Sequence, residues 1–358
     1  MESVIGAAYL HGGFELGYEC IKFFGLRIKR WEPLDVRISQ MLDRVGKTDQ
    51  LPLQVGHVEQ ILGYSFTHKL ILVEALTHAS HPQSLGFGTL SYERLEFLGD
   101  SVLDMIVTDY LYRAPEKYSP GHIFLRKSAM VNSHILAFLC LRACLKLTAE
   151  MAKPDYAGNI VVESEEQSVY LWQCLLHSSH QVLDDQATTW ARFSKWQSEM
   201  EESFERDDIF PWAGLTRLHA AKVFSDMIES LLGAVYLDSK GNLDEVRRVL
   251  RTLGWMQILE RIVRDDVDVL HPVSRVALYC SKRAKSVEYR ITQKKGNVGC
   301  AVWIDNEELE GTYTEEPFKT RATREGVRFA AAERAIRALH IRNVDVHAKK
   351  AKTRSELI

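Results

Sequence analysis

The sequence predicts a mainly α-helical protein that ends in a small domain of α-β-β-β-α order. Apolar residues recur at helical spacing from Val58 to about Tyr236. Beyond His271 the pattern changes to two alternating runs joined by the turn 294–297, and a strong helix follows. With 358 residues, 46% hydrophobic and 26% charged, the chain is long enough for two or three globular domains.

The central region, residues 57–265, is predicted to be an all-helical domain. Its periodic segments lie at 58–62, 72–76, 92–112, 123–147, 169–180 and 216–236. A charge-rich stretch at about 155–210 is predicted to be a partly helical insertion in this domain. Before it, residues 32–56 are polar and contain Pro33 and Pro52, which predicts a linker.

Residues 271–342 are predicted to form the small C-terminal domain. We expect a helix at 273–284, strands at 287–292, 298–304 and 309–313, and a helix at 323–339. The remaining residues, 343–358, form a basic tail that is predicted to be disordered.

Charge is distributed unevenly along the chain. The formal net charge is −3, which taken alone argues against nucleic-acid binding. From residue 271 onward, however, 18 Lys and Arg residues face 11 Asp and Glu, whereas the preceding part has 27 against 37. A basic end on an acidic body predicts that one part binds an anion and the other binds cations.

The location expected from the sequence is intracellular, either cytoplasmic or nuclear. The N-terminus lacks the pattern of a signal peptide, and the six cysteines are scattered without a disulfide-like framework. The longest apolar stretch, 135–147, is interrupted by Arg142 and Lys146 and is too short to span a bilayer, so no membrane partner is expected.

The chain contains an internal repeat. Residues 2–10 recur as residues 229–237 with six of nine positions identical. Residues 1–31 are therefore predicted to be the C-terminal remnant of a first domain that is related to the central one.

Acidic residues recur at helical spacing in two distant segments. Glu96 and Asp100 are one turn apart, and Glu93 lies one turn before Glu96. Like charges at this spacing destabilise a helix unless a cation lies against them. In the second segment, Asp226 and Glu229 lie in an otherwise apolar helix, so their carboxylates are expected to face the interior or a cleft.

If the two helices face each other, the carboxylates converge. Oxygen donors without His or Cys suit Mg²⁺ or Mn²⁺, which activate water and stabilise the leaving oxygen in phosphodiester cleavage. The alternative is that these acids are helix caps or surface charges. A zinc site can also be drawn, although its spacing is irregular and buried core cysteines are the favoured reading; its candidate ligands are Cys140, Cys144, Cys174, His177 and His180.

The segment Glu93-Arg94-Leu95-Glu96-Phe97-Leu98-Gly99-Asp100 resembles the signature of the ribonuclease III family, and the residues from Asp226 to Glu229 are similar to its second metal-binding motif. Residues 76–80 and 125–132 resemble further landmarks of the family. The resemblance implies a metal-dependent endonuclease that hydrolyses double-stranded RNA. It also implies that Glu96, Asp100, Asp226 and Glu229 are metal ligands, with Glu93 as an accessory acid.

Two ribonuclease III domains followed by a double-stranded-RNA-binding domain is the order found in Dicer-like proteins, and the chain resembles the C-terminal part of the fungal type. Glu2 then matches the last metal ligand of the first domain. The resemblance implies a role in producing small RNAs for RNA silencing and antiviral defence. It also implies a second ribonuclease III domain as partner, from a missing upstream half or from a homodimer. The alternative is a catalytically silent scaffold or RNA-binding protein, or a fragment that is inactive alone. A silent scaffold would be marked by loss of the four carboxylates, and all four are present.

Residues 271–342 resemble a double-stranded-RNA-binding domain, a fold that contacts phosphates and 2′-hydroxyls of the duplex. Arg324 and Arg328 match basic positions at the start of its last helix, and Lys294 and Lys295 supply further charge from the predicted turn. Glu325 departs from the family pattern, because a carboxylate there repels phosphate. The alternative is a basic solvated face with a structural or protein-binding role.

Overall fold

The computed structural model describes residues 1–26, 32, 34–43, 51–82, 91–154, 160–317 and 321–341. It divides into two compact units, Met1–Arg44 and Val45–Ile358. The predicted basic tail, residues 343–358, and residues 33 and 44–50 of the predicted linker lie outside the described residues. No helix among the described residues is long and apolar enough to cross a membrane.

The second unit is built around one buried helix. Its first ten helices are α3 (Gln54–Leu62), α4 (Lys69–Leu76), α5 (Glu93–Tyr112), α6 (Pro120–Met130), α7 (Ser133–Arg142), α8 (His180–Arg206), α9 (Trp212–Arg217), α10 (Lys222–Asp238), α11 (Leu243–Thr252) and α12 (Trp255–Arg264). Nearly every residue of α10 is buried, because α4, α5 and α7 pack around it. The mainly α fold class is therefore confirmed.

The first unit contains α1 (Glu2–Phe23) and α2 (Leu34–Leu42). A kink divides α1 at Gly12 and Gly13, where Gly13 has a φ of 69°. The second copy of the repeat breaks at the corresponding place, since α10 ends at Asp238 and Lys240 has a φ of 57°. Both copies therefore leave helical geometry at corresponding residues, Gly13 and Lys240.

A β-hairpin interrupts the helices of the central region. Its strands β1 (Cys144–Pro154) and β2 (Ile160–Tyr170) are antiparallel. The prediction of helix at the end of 123–147 is therefore wrong, because α7 ends at Arg142 and β1 follows. The prediction of helix at 169–180 is also wrong, because β2 leads there into a short 3-10 helix, Leu171–Cys174. Short apolar runs do not distinguish strand from helix, which explains the error. The expected helical part of the insertion is present as α8.

The C-terminal module comprises α13 (Pro272–Ser281), β3 (Val287–Lys294), β4 (Asn297–Ile304), β5 (Glu307–Glu308), β6 (Thr314–Pro317) and α14 (Arg321–Ala338). Both β5 and β6 pair with β4, and the sheet and helices enclose an apolar core of their own. The strand expected at 309–313 is wrong, because Gly311 has a φ of 76° and Thr312 Oγ1 donates to the Leu309 carbonyl at 2.7 Å. These contacts make a turn, and pairing resumes at Thr314.

Candidate active site

Helices α5 and α10 touch through their backbones. A Cβ atom on Gly99 would overlap the carbonyl oxygen of Glu229, and one on Gly233 would overlap the carbonyl oxygen of Leu95. Only glycine allows an approach this close, because any side chain would push the helices apart. The contact brings the acidic turn of α5 against the acidic turn of α10.

Three carboxylates converge at this contact. Glu96, Asp226 and Glu229 each offer an oxygen, and these oxygens lie within 4.8 Å of one another. Asp226 is buried and the other two are half-buried. A set of carboxylate oxygens without imidazole or thiolate is the donor set that hard divalent cations prefer, so the residues fit Mg²⁺ or Mn²⁺.

The other two acids of the predicted set lie close to the cluster but outside it. Asp100 is not in the group of converging oxygens, although its charge raises the pKa of Glu229 and it is therefore an electrostatic neighbour. Glu93 is exposed and accepts a hydrogen bond from Ser91 Oγ at 3.0 Å. Glu93 is therefore placed as expected for an accessory acid near the cluster, and not as one of the converging carboxylates.

The carboxylates perturb one another because they are partly removed from water. Burial, assisted by the charges of Asp226 and Asp100, raises the pKa of Glu229 to about 8. Burial also raises the pKa of Asp226 and that of Asp100. Without a cation, Glu229 therefore holds a proton at neutral pH, since like charges in a desolvated site cannot all ionise.

Lys222 supplies positive charge to the cluster. Its Nζ donates to Asp226 Oδ1 at 2.6 Å and also bonds to Glu96. Burial acts to lower the pKa of Lys222, but these two hydrogen bonds raise it overall. Sequence reasoning missed this residue, although its place one turn before Asp226 was a visible signal.

Tyr92 is a second residue that sequence reasoning missed. It is buried immediately before α5, and its hydroxyl donates to Asp226 Oδ2 at 3.3 Å. The contact spans 134 residues of sequence. No local pattern could have indicated it.

The predicted RNA-binding residues fall into two places. Lys295 and Gly296 have φ values of 46° and 81°, which form a two-residue turn between β3 and β4. Beside this turn, Arg324 donates to Gln293 at 3.1 Å, so Lys294, Lys295 and Arg324 share one end of the module. Arg328 instead lies over the Tyr289 ring, with its guanidinium carbon 5.1 Å from the ring centroid.

One side of α14, together with β6, contacts the helical region that precedes the C-terminal module. His219 Nε2 lies 3.2 Å from Glu316, and a Cβ atom on Gly326 would overlap the His219 ring. The Phe329 ring is 4.2 Å from that of His271 and 6.4 Å from that of His134. The negative charge of Glu325 acts on His134, so Glu325 lies near the helical region.

The remaining predicted residues do not join the cluster. Cys140 and Cys174 are buried side chains of the core. Glu2 is exposed in the first turn of α1, which belongs to the separate unit, and its role as a remnant ligand stays a prediction.

Comparison with known proteins identifies the domain. The model of the ribonuclease III domain matches residues 93–240, a segment that includes both acidic turns. Domains of this family generally depend on divalent metals, which agrees with the acidic cluster. Among solved structures, the nuclease domain of ribonuclease III from Campylobacter jejuni matches with 23% identity and a TM-score of 0.33, covering 56% of this chain and 94% of that one.

Fungal relatives match a larger part of the chain. Dicer-like protein 2 of Coccidioides immitis is 32% identical over 97% of this chain, and Dicer-like protein 2-1 of Aspergillus niger is 35% identical over 76%. Dicer-like protein 2 of Cryphonectria parasitica is 30% identical over 82%. The chain spans 24%, 19% and 21% of the length of these three relatives, respectively. The chain therefore contains a ribonuclease III domain and is similar, over most of its length, to a part of fungal Dicer-like proteins.

Proposed function

We propose that this chain is the part of a Dicer-like protein that hydrolyses phosphodiester bonds of double-stranded RNA, as a step in small-RNA production for RNA silencing. The observation that carries the proposal is the convergence of Glu96, Asp226 and Glu229 inside a ribonuclease III domain. Asp100 is proposed as the fourth ligand because it lies one helical turn after Glu96 on α5, and its charge acts on Glu229. The ion is Mg²⁺ or Mn²⁺.

Each side chain has a separate task in this proposal. Asp226, the most buried of the three acids, anchors the cation, while the half-buried Glu96 and Glu229 complete the set of oxygen donors. Lys222 neutralises Glu96 and Asp226 until a cation takes over, because its exposed side chain can swing away. When bound, the cation would supply an activated water and charge stabilisation at the leaving oxygen.

The substrate assignment rests on the C-terminal module. Lys294, Lys295 and Arg324 gather at one end of it, where they suit the phosphates of a duplex. Glu325 is an interdomain residue in this account, because its charge acts on His134. The departure from the family pattern at Glu325 therefore costs less RNA affinity than the sequence alone suggests.

The proposed partner is a second ribonuclease III domain, either from an upstream half of the same protein or from a second copy of this chain. Phe97 is 78% exposed on α5, beside the ligand Glu96. We assign Phe97 to the contact with this second domain, and a measurement of oligomeric state tests the assignment. Light scattering over a range of concentrations tests the second copy: a monomeric mass throughout contradicts a homodimer.

The function is tested by incubating the full chain with long duplex RNA and Mg²⁺. The wild type is compared with Asp100→Asn and with the control Asp104→Asn. Asp104 lies one turn further along α5, and its carboxylate pairs with Lys127 at 2.6 Å. We expect Asp100→Asn to lose at least about a hundredfold in cleavage rate, in line with the loss of a metal ligand or its support. Asp104→Asn should retain activity to within a few fold.

Equal cleavage by the wild type and Asp100→Asn would contradict the site assignment. No cleavage by the wild type, even when mixed with an upstream ribonuclease III domain, would contradict the proposed activity.

A further inference from the structure

The two oxygens of the Asp226 carboxylate have different donors. Oδ1 accepts from Lys222 Nζ at 2.6 Å, and Oδ2 accepts from the Tyr92 hydroxyl at 3.3 Å. The lysine approaches from the solvent side, since its side chain is 69% exposed, whereas Tyr92 is buried at 6% exposure. An incoming cation can therefore compete with the lysine from solvent, while the tyrosine is covered by the protein.

Tyr92 is fixed by its backbone and by its ring. Its N–H donates to the Thr77 carbonyl at 2.9 Å, and its carbonyl accepts from the backbone N–H groups of Leu95 and Glu96 in the first turn of α5. The ring lies 5.8 Å from the His78 imidazole. The anchored backbone and the buried ring hold the hydroxyl beside Asp226.

The imidazole beside Tyr92 is itself held in place. His78 Nδ1 accepts a hydrogen bond from the Ser80 backbone N–H at 3.1 Å. The backbone N–H of His78 donates to the Leu176 carbonyl at 2.9 Å. A chain of contacts therefore runs from the loop after α4, through His78 and Tyr92, to the carboxylate of Asp226.

We propose that Tyr92 is a positioning residue, which holds the Asp226 carboxylate through Oδ2 so that Oδ1 faces the cation shared with Glu96 and Glu229. The inference rests on the proposed metal site. A neutral hydroxyl suits this task, because it orients the anion without repelling an incoming cation, whereas the Lys222 ammonium competes with that cation. A donor that orients a metal ligand without touching the metal typically contributes about tenfold to a hundredfold to metal affinity.

The test is the affinity of the full chain for Mn²⁺, measured by titration calorimetry without RNA. Tyr92→Phe keeps the ring and removes the hydroxyl, and should weaken Mn²⁺ binding about tenfold to a hundredfold. Tyr236→Phe is the matched control, because it removes a hydroxyl from a buried tyrosine two turns after Glu229 on α10. Its Mn²⁺ affinity should stay within about twofold of the wild type, since Tyr236 lies two helical turns away from the acidic cluster.

Lys222→Met sharpens the test, because it removes the other donor to the same carboxylate. Loss of the competing ammonium should tighten Mn²⁺ binding, opposite in sign to Tyr92→Phe. In cleavage assays, Tyr92→Phe should raise the Mg²⁺ concentration at half-saturation, and kcat at saturating Mg²⁺ should recover. Metal-free thermal unfolding of Tyr92→Phe shows whether it folds, and the rise in Tm on adding Mn²⁺ gives a second measure of affinity.

Three results would overturn the inference: unchanged Mn²⁺ affinity in Tyr92→Phe, equal weakening in Tyr92→Phe and Lys222→Met, or no Mn²⁺ binding by the wild type. If Mn²⁺ binding weakens as expected but the wild type does not cleave duplex RNA, the proposed function fails and the role of Tyr92 stands.

Discussion

The carboxylate cluster and the basic end of the C-terminal module are held in place by different physical means. The cluster depends on backbone contact, since Gly99 and Gly233 let α5 and α10 touch. The basic end depends on side chains at a surface turn, where Arg324 reaches Gln293. We therefore expect the cluster to fail abruptly when its helices are displaced, and the basic end to weaken gradually as charges are removed.

The largest effect is expected from Gly99→Val. Its side chain would overlap the Glu229 carbonyl, and neither backbone can move without disrupting the buried α10. We expect the free energy of unfolding to fall by about 3 kcal/mol or more, with loss of Mn²⁺ binding. Chemical denaturation measures the first quantity.

Gly121→Ala is the control for that substitution. An added Cβ at this position on α6 meets no atom within 4 Å. The expected change in unfolding free energy is within about 0.5 kcal/mol. A similar fall in unfolding free energy in both variants would show that stability does not depend on the close contact between α5 and α10.

The next effect is a pH dependence of metal binding. The pKa of Glu229 is raised from 4.5 to about 8, so its ionisation costs stability in the metal-free protein as pH rises through this range. Binding a cation requires the carboxylate, so it releases a proton below pH 8. Mn²⁺ affinity should therefore rise up to about tenfold per pH unit from pH 6 to 8 and then level off.

Calorimetry in two buffers with different ionisation enthalpies counts the protons released. Glu229→Gln should bind more weakly, and its affinity should lose this pH slope. A slope that persists in Glu229→Gln would assign the proton to another group.

A smaller and graded effect is expected at the basic end. Lys295→Ala should weaken duplex-RNA binding a few fold and reduce the slope of log affinity against log salt by about one. Arg328→Ala should leave that slope nearly unchanged and instead cost up to about 1 kcal/mol of stability, because its guanidinium lies over Tyr289. Arg337→Ala, at the other end of α14, is the control. Equal salt-dependence slopes for all three variants would show that Lys295 contributes no more to RNA binding than Arg328 does.

The smallest effect is expected from Glu316→Gln, which weakens the contact between His219 and the C-terminal module. The pair is partly exposed, so we expect a loss of about 0.5 kcal/mol or less. Hydrogen exchange along α14 should quicken slightly, since the contact holds β6 and the neighbouring helix against His219. No change in exchange would show that the contact does not hold the module.

The sequence predicted the helices and the acidic turns well, because both are local patterns. Spacing alone placed Glu96 one turn before Asp100 and placed Asp226 and Glu229 on an apolar helix. Spacing could not predict the hairpin of β1 and β2, since its short apolar runs are ambiguous. It could not predict Tyr92 either, because a hydrogen bond across 134 residues depends on tertiary packing.

The most direct test of the central claim is a crystal structure of the full chain soaked with Mn²⁺, with anomalous scattering recorded at the manganese edge. The account predicts an anomalous peak bonded to oxygens of Glu96, Asp226 and Glu229, with Lys222 displaced and the Tyr92 hydroxyl still on Asp226. A cluster without a peak, with Lys222 still bonded to Glu96 and Asp226 in saturating Mn²⁺, would contradict it.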